Sequence, residues 1–116
     1  MSDECDPNGV PQHSPGAKLD GDKPLTYLMI SGFPHALDAV ARVTTFGARK
    51  YCPNGWREVS DSDSRYMNAL ARHLIANAID ETDSESGLPH LAHVAWNALA
   101  VLELRMRKKN IEHTEK

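Results

Sequence analysis

Two cysteines, seven aromatic residues and no long apolar run set the first limits on this 116-residue chain. Cys5 and Cys52 lie far apart, the first in a polar tail. Such a pair supports neither a disulfide scaffold nor a structural zinc site, so both are expected as reduced thiols. No apolar stretch approaches the roughly 20 residues of a membrane span. The first residues are acidic and rich in Pro and Gly, with no apolar segment of the kind a signal peptide needs. No Walker A or Gly-rich dinucleotide motif occurs, so a bound triphosphate would be held by side chains and metal. Positive charge is also scarce: 13 Lys and Arg stand against 16 Asp and Glu, a net charge of −3. Phosphate-backbone affinity needs clustered cations, which argues against a general nucleic-acid binder. The expectation is a soluble, intracellular protein with neither a nucleic-acid nor a membrane partner.

What is present reads as helix. Residues 1–17 carry Pro7, Gly9, Pro11, Pro15 and Gly16, which suits a flexible arm. Leu25 to Ile30 is apolar enough to lie on a core as a short strand or extended segment. A first helix is predicted from Pro34 to Lys50, because proline suits a first helical turn. Leu37, Ala41, Thr44 and Ala48 then share one face. Gly47 falls inside it, for close helix packing or for access of a ligand to the backbone. Cys52 to Gly55 is a turn, and Asp61 or Ser62 is an N-cap candidate. A second helix is predicted over Ser64–Ile79 and a third over Leu88–Lys109, with a frayed tail over 110–116. The basic residues Arg105, Arg107, Lys108 and Lys109 suit the negative end of that third helix. The chain is expected to be one all-α domain over 18–109, with three main helices and an extended N-terminal arm. Apolar positions such as Leu91, Ala95 and Leu102 call for a dimer or higher homo-oligomer to cover them.

Between the last two helices lies an acidic turn with Asp80, Glu81, Asp83 and Glu85 within six positions. His90, His93 and Asn97 follow at i, i+3 and i+7, on one helical face. His73 and Asp80 share a face on the preceding helix, and antiparallel packing across a short turn brings the two faces together. Carboxylates suit Mg²⁺ or Mn²⁺, and imidazoles suit Co²⁺, Zn²⁺ or Fe²⁺. His73, Asp83, Glu85 and His93 are the metal-binding candidates, with His73, Asp83 and Glu85 as the catalytic, water-activating ones. The competing reading gives Asp83 and Glu85 to capping of the third helix, and His93 and Asn97 to a hydrogen-bonded core. Lys18, Lys23, Arg49, Lys50, Arg57 and Arg72 are candidate phosphate contacts, although Arg49 and Lys50 also suit a helix C-terminus. Asp20, Asn54 and Trp56 are candidates for the sugar or base, Trp56 being equally suited to anchoring a core.

Four blocks carry a resemblance. They are Lys18-Leu19-Asp20-Gly21-Asp22-Lys23-Pro24, Phe46-Gly47-Ala48-Arg49-Lys50-Tyr51, Asn54-Gly55-Trp56-Arg57, and Arg72-His73-Leu74 with Asp83 through His93 and Asn97. Together they resemble the phage dATP/dGTP diphosphohydrolases, the MazZ-type proteins of viruses that replace adenine with 2-aminoadenine. That family is similar to the all-α MazG-like nucleotide pyrophosphohydrolases, which implies a helical bundle completed by oligomerisation. The resemblance implies hydrolysis of dGTP to dGMP, which feeds 2-aminoadenine nucleotide synthesis, and of dATP to dAMP, with pyrophosphate released. It also implies a divalent metal, Mg²⁺ or Mn²⁺ first and Co²⁺ or Zn²⁺ next given the histidines, and work in the cytoplasm of an infected host cell. MazG-like enzymes hold metal through paired ExxE and ExxD motifs. No such motif falls within the three predicted helices, so ligation falls to the acidic turn and the histidines. Two alternatives stand beside this reading. An HD-type phosphohydrolase needs an adjacent His-Asp pair, which is absent. A non-enzymatic helical adaptor would treat the acidic turn as solvated surface.

Overall fold

A computed structural model describes residues 4–115, with side chains through residue 111. Of the expected arm, residues 1–3 lie outside the described residues, as does residue 116 of the expected tail. The described residues form four α-helices and one 3-10 turn, with an isolated bridge between Thr82 and Pro89 but no strand. The all-α reading therefore holds. The chain divides into two compact units, Met1–Phe33 and Pro34–Lys116.

In the first unit, residues 4–23 run through turns. The Asp6 carboxylate accepts the N–H groups of Asn8 at 2.7 Å and Lys18 at 2.9 Å. Gly21 donates to the Cys5 carbonyl at 2.9 Å, an approach so close that a Cβ on Gly21 would meet the Cys5 sulfur at 2.7 Å. Helix α1 spans Thr26–Gly32. The extended segment expected over Leu25–Ile30 is thus helical. Its six-residue apolar run is too short for periodicity to separate the two, and Leu and Met favour the helix once Pro24 fixes the approach. Phe33 ends α1 at φ −129°, outside the helical region, as the residue before a proline should.

The second unit is built from three helices. Helix α2 spans Pro34–Lys50, the bounds its proline and terminal cations predict. A 3-10 turn covers Gly55–Glu58, entered through Asn54 in the left-handed conformation at φ 61°. Helix α3 spans Ser62–Asn77. It starts two residues before the expected Ser64, because Asp61 turns the chain at φ 51° and its carbonyl accepts the Arg65 N–H at 3.0 Å. Asp61 holds the N-cap position, but its side chain makes no capping bond. Helix α4 spans His90–Glu115 and passes the expected end at Lys109, since no Gly or Pro interrupts the following residues. Its 26 residues extend about 39 Å at 1.5 Å per residue.

Helices α3 and α4 run antiparallel. Arg105 forks onto both Asp63 oxygens, at 2.6 and 2.9 Å, while His73 meets His90 at the other end. An aromatic knot ties the 3-10 turn to this pair. Trp96 lies edge-on to Trp56 at 5.6 Å and to Tyr66 at 5.7 Å, and the Tyr66 hydroxyl donates to the Trp56 carbonyl at 2.7 Å. Burial raises the Tyr66 pKa, consistent with a hydroxyl kept as a donor. Among the described residues the buried apolar ones are Val43, Ala92, Ala100 and Val101, against three buried polar ones, His90, His93 and Asn97. The core is therefore thin, and much of its interior is polar. No helix among the described residues is long and apolar enough to cross a membrane.

Candidate metal centre

The loop between α3 and α4 is folded by its backbone. Asp83 donates its N–H to the Leu88 carbonyl at 2.9 Å, Gly87 donates to the Asp83 carbonyl at 2.8 Å, and His90 donates to the Glu81 carbonyl at 2.9 Å. Gly87 adopts φ +72°, a conformation that glycine enters without strain from a Cβ. This closed loop sends its acidic side chains in different directions. Asp80 accepts the Thr82 N–H at 3.1 Å. Glu85 reaches out to Lys50 at 2.6 Å, with 61% of its side chain exposed. Asp83 turns inward, and its Oδ2 accepts both the N–H and the hydroxyl of Ser86 at 2.8 Å each. The hydrogen bonds of Asp83 go to Ser86 and that of Glu85 to Lys50, none to an N–H of α4.

Three histidines gather beside Asp83. His73 comes from the last turns of α3, while His90 opens α4 and His93 follows it by three residues. The Nδ1 atoms of His73 and His90 stand 2.9 Å apart. The His73 and His93 rings stack at 4.4 Å with only 7° between their planes. His93 Nε2 lies 2.7 Å from the Ser86 hydroxyl and 3.8 Å from Asp83 Oδ2. Phe46 of α2 lies edge-on to His93 at 6.3 Å. Asn97 donates to the His93 carbonyl at 2.8 Å, so it serves the helix core.

Electrostatics follow from this crowding. Burial lowers the His73 pKa, the neighbouring His93 lowers it further, and Asp83 pulls the other way. Burial also lowers the His93 pKa, again against Asp83. For Asp83, burial acts to raise the pKa. The bonds from Ser86 and the nearness of His93 and His73 outweigh it, and the carboxyl stays below its ordinary range. His73 and His93 are thus held neutral and the Asp83 carboxylate charged, the states in which each offers lone pairs to a cation.

One donor atom from each of His73, Asp83 and His90 lies within 4.8 Å of the others. This donor set fits a divalent metal. The two facing Nδ1 atoms at 2.9 Å share one hydrogen bond, with one ring donating its N–H and the other accepting through its lone pair, and a cation shared by both lone pairs would replace that proton. Both His90 and His93 meet His73, the first through Nδ1 and the second by ring stacking, and only His90 joins the donor group. The deciding fact is that α4 begins at His90, beside the loop. Of the four metal candidates, His73 and Asp83 fall in the group, His93 lies against it through Ser86 and the His73 ring, and Glu85 is held by Lys50.

An open hollow of about 400 Å³ adjoins this cluster, lined by Arg42, Thr45, Phe46, Arg49, Ser86 and Leu88. Arg42 is paired with Asp38 at 2.9 Å, while Arg49 has no ion-pair partner among the described residues. The sequence singles out Arg49 but not Arg42 or Ser86, and it places His90 on the site-facing side of α4 without choosing it as a ligand. The remaining candidates are dispersed. Lys50 sits over the Phe46 and Tyr51 rings at 5.9 and 5.4 Å. Arg72 is exposed beside His73 on α3. Arg57 lies 5.5 Å from the Trp56 ring, which itself packs on Trp96 as an anchor, and Asn54 leads into their turn. Lys18, Asp20 and Lys23 belong to the first unit.

No curated protein and no solved structure matches the chain. A family model described as dATP/dGTP diphosphohydrolase, N-terminal, matches residues 13–114. That match takes in the helices, the acidic loop and all three clustered histidines, and the chain belongs to the dATP/dGTP diphosphohydrolase family.

Proposed function

We propose that this chain hydrolyses dGTP and dATP to their monophosphates, releasing pyrophosphate, with a divalent metal held by His73, Asp83 and His90. The observation that carries the reading is the convergence of those three donors beside an arginine-lined hollow, in a chain of this family. A bound metal would supply Lewis acidity and neutralise phosphate charge. Two imidazoles with one carboxylate favour Mn²⁺, Co²⁺ or Zn²⁺ over Mg²⁺, which prefers oxygen ligands. Arg49, with Arg42 beside it, would present a planar fork to phosphate oxygens, and Lys50 and Arg72 would add positive charge. His93, kept neutral by burial, is available to accept a proton from water. In the reaction a water oxygen bonds to the α-phosphorus, the bond to the bridging oxygen breaks, and pyrophosphate departs. We place this activity in an infected host cell, where dGMP would feed 2-aminoadenine nucleotides and loss of dATP would remove the competitor.

We also propose that the chain works as a homodimer through α3 and α4. Met67, Leu74 and Ile75 on α3 and Leu91, Leu99, Leu102 and Met106 on α4 are all between 42% and 68% exposed, beside a core of four small apolar residues. The catalytic reading is tested by incubating the purified protein with dGTP and dATP in Mg²⁺, Mn²⁺, Co²⁺ or Zn²⁺ and separating the products by ion exchange. Nucleoside monophosphate with pyrophosphate is expected. Diphosphate with orthophosphate would overturn the bond assignment, and intact substrate in every metal would overturn the activity.

A further inference from the structure

The Ser86 hydroxyl has more partners than a loop serine needs. It lies 2.8 Å from Asp83 Oδ2 and 2.7 Å from His93 Nε2, and it accepts the Leu88 N–H at 3.2 Å. An ionised carboxylate only accepts, so the single hydroxyl proton goes to Asp83. The oxygen then has only lone pairs left for its other neighbours. His93 must therefore donate to it, which places the neutral His93 proton on Nε2. Asp83 and His93 themselves are 3.8 Å apart, too far for a direct bond, and Ser86 spans that gap. His93 in turn stacks on His73 at 4.4 Å. The arrangement is not a nucleophilic triad, because Asp83 and Ser86 approach the same His93 nitrogen rather than opposite ones.

We propose that Ser86 is a positioning residue for the metal-binding group, coupling Asp83 to His93 and so fixing both the carboxylate and the His73 ring plane. The proposal rests on the metal reading above and adds the residue that orients its ligands. Without the hydroxyl, Asp83 retains the Ser86 N–H at 2.8 Å but loses its side-chain partner, and His93 loses the bond that selects its tautomer. Partners that orient metal ligands are typically worth about 10–100-fold in metal affinity.

The test measures Co²⁺ binding by absorption and calorimetry in wild type, Ser86→Ala and Ser86→Thr. Imidazole ¹⁵N shifts of the metal-free proteins report the His93 tautomer. Wild type is expected to bind Co²⁺ and to show His93 protonated on Nε2. Ser86→Ala should bind roughly 10–100-fold more weakly and show mixed His93 tautomers at unchanged helicity, while Ser86→Thr restores both. Equal Co²⁺ affinity in wild type and Ser86→Ala, or a wild-type His93 protonated on Nδ1, overturns the proposal alone. Failure of the wild type to bind Co²⁺ overturns the metal reading and the proposal with it.

Discussion

Replacing Leu102 with Ala should weaken self-association about 30-fold without disturbing the helices. Leu102 is 57% exposed on α4, with Leu99 and Met106 at neighbouring helical positions exposed to 52% and 49%. Burying a leucine completely contributes about 1.5–3 kcal/mol, so covering the exposed fraction adds about 1–1.7 kcal/mol. Alanine forfeits most of that gain. A two-fold dimer contains the position twice, and the total loss is about 2 kcal/mol, or roughly 30-fold in Kd. Sedimentation equilibrium across a concentration series reads the constant directly, and far-UV circular dichroism checks the fold. A wild type that stays monomeric at tens of micromolar, or a variant that associates as tightly as wild type, would refute the argument that this face is covered by a second copy.

Three further outcomes follow from the site and its supports. Asp83→Asn preserves shape but removes the charge from the donor group, and should cut Co²⁺ affinity and turnover by more than the roughly 100-fold upper range for an orienting partner; undiminished turnover would move the metal away from Asp83. Burial holds His73 and His93 below the ordinary 6.5, so the unfolded chain takes up protons first as the pH falls. Urea unfolding should therefore give constant stability for these groups above about pH 7 and decreasing stability below about 6.5, and a rise in stability over that acid range would contradict the buried, neutral assignment. Gly47 and Gly87 should respond oppositely to alanine. A Cβ at either meets nothing within 4 Å, but Gly47 lies inside α2 whereas Gly87 is at φ +72°. Thermal melts should show Gly47→Ala stabilising by about 0.5–1 kcal/mol and Gly87→Ala destabilising by about 1–2 kcal/mol.

The ends of α2 are written in Pro34 and in Arg49-Lys50, since each residue type has a strong positional preference at a helix terminus. The end of α4 is not, because a cationic cluster at Arg105–Lys109 favours a nearby C-terminus but does not stop a helix that no Gly or Pro breaks. Helix α1 is hidden for a different reason: a short apolar run has no period of its own. The open surroundings of Gly47 could not be read from sequence either, as they depend on the path of the neighbouring elements.

The site divides along the same line. A histidine on α3 facing an acidic turn is a local pattern, and His73 with Asp83 follows from it. The choice between Asp83 and Glu85 is not local. Two residues apart, they part company because the loop closes through Gly87 and the Asp83–Leu88 bond, turning one carboxylate inward and the other toward Lys50. The choice between His90 and His93 depends on where α4 begins, a boundary that helical spacing leaves open by a residue or two. A thin apolar core explains why these polar groups occupy so much of the interior: His90, His93 and Asn97 fill positions on α4 that an ordinary small bundle would give to leucine or valine. Each is satisfied by a named partner, so the interior carries no unpaired side-chain polar atom among the described residues. The same network that makes the core affordable without larger apolar side chains also holds the donor atoms in place, and changes to Ser86 or His93 should therefore be felt first in ligand geometry and only second in folding.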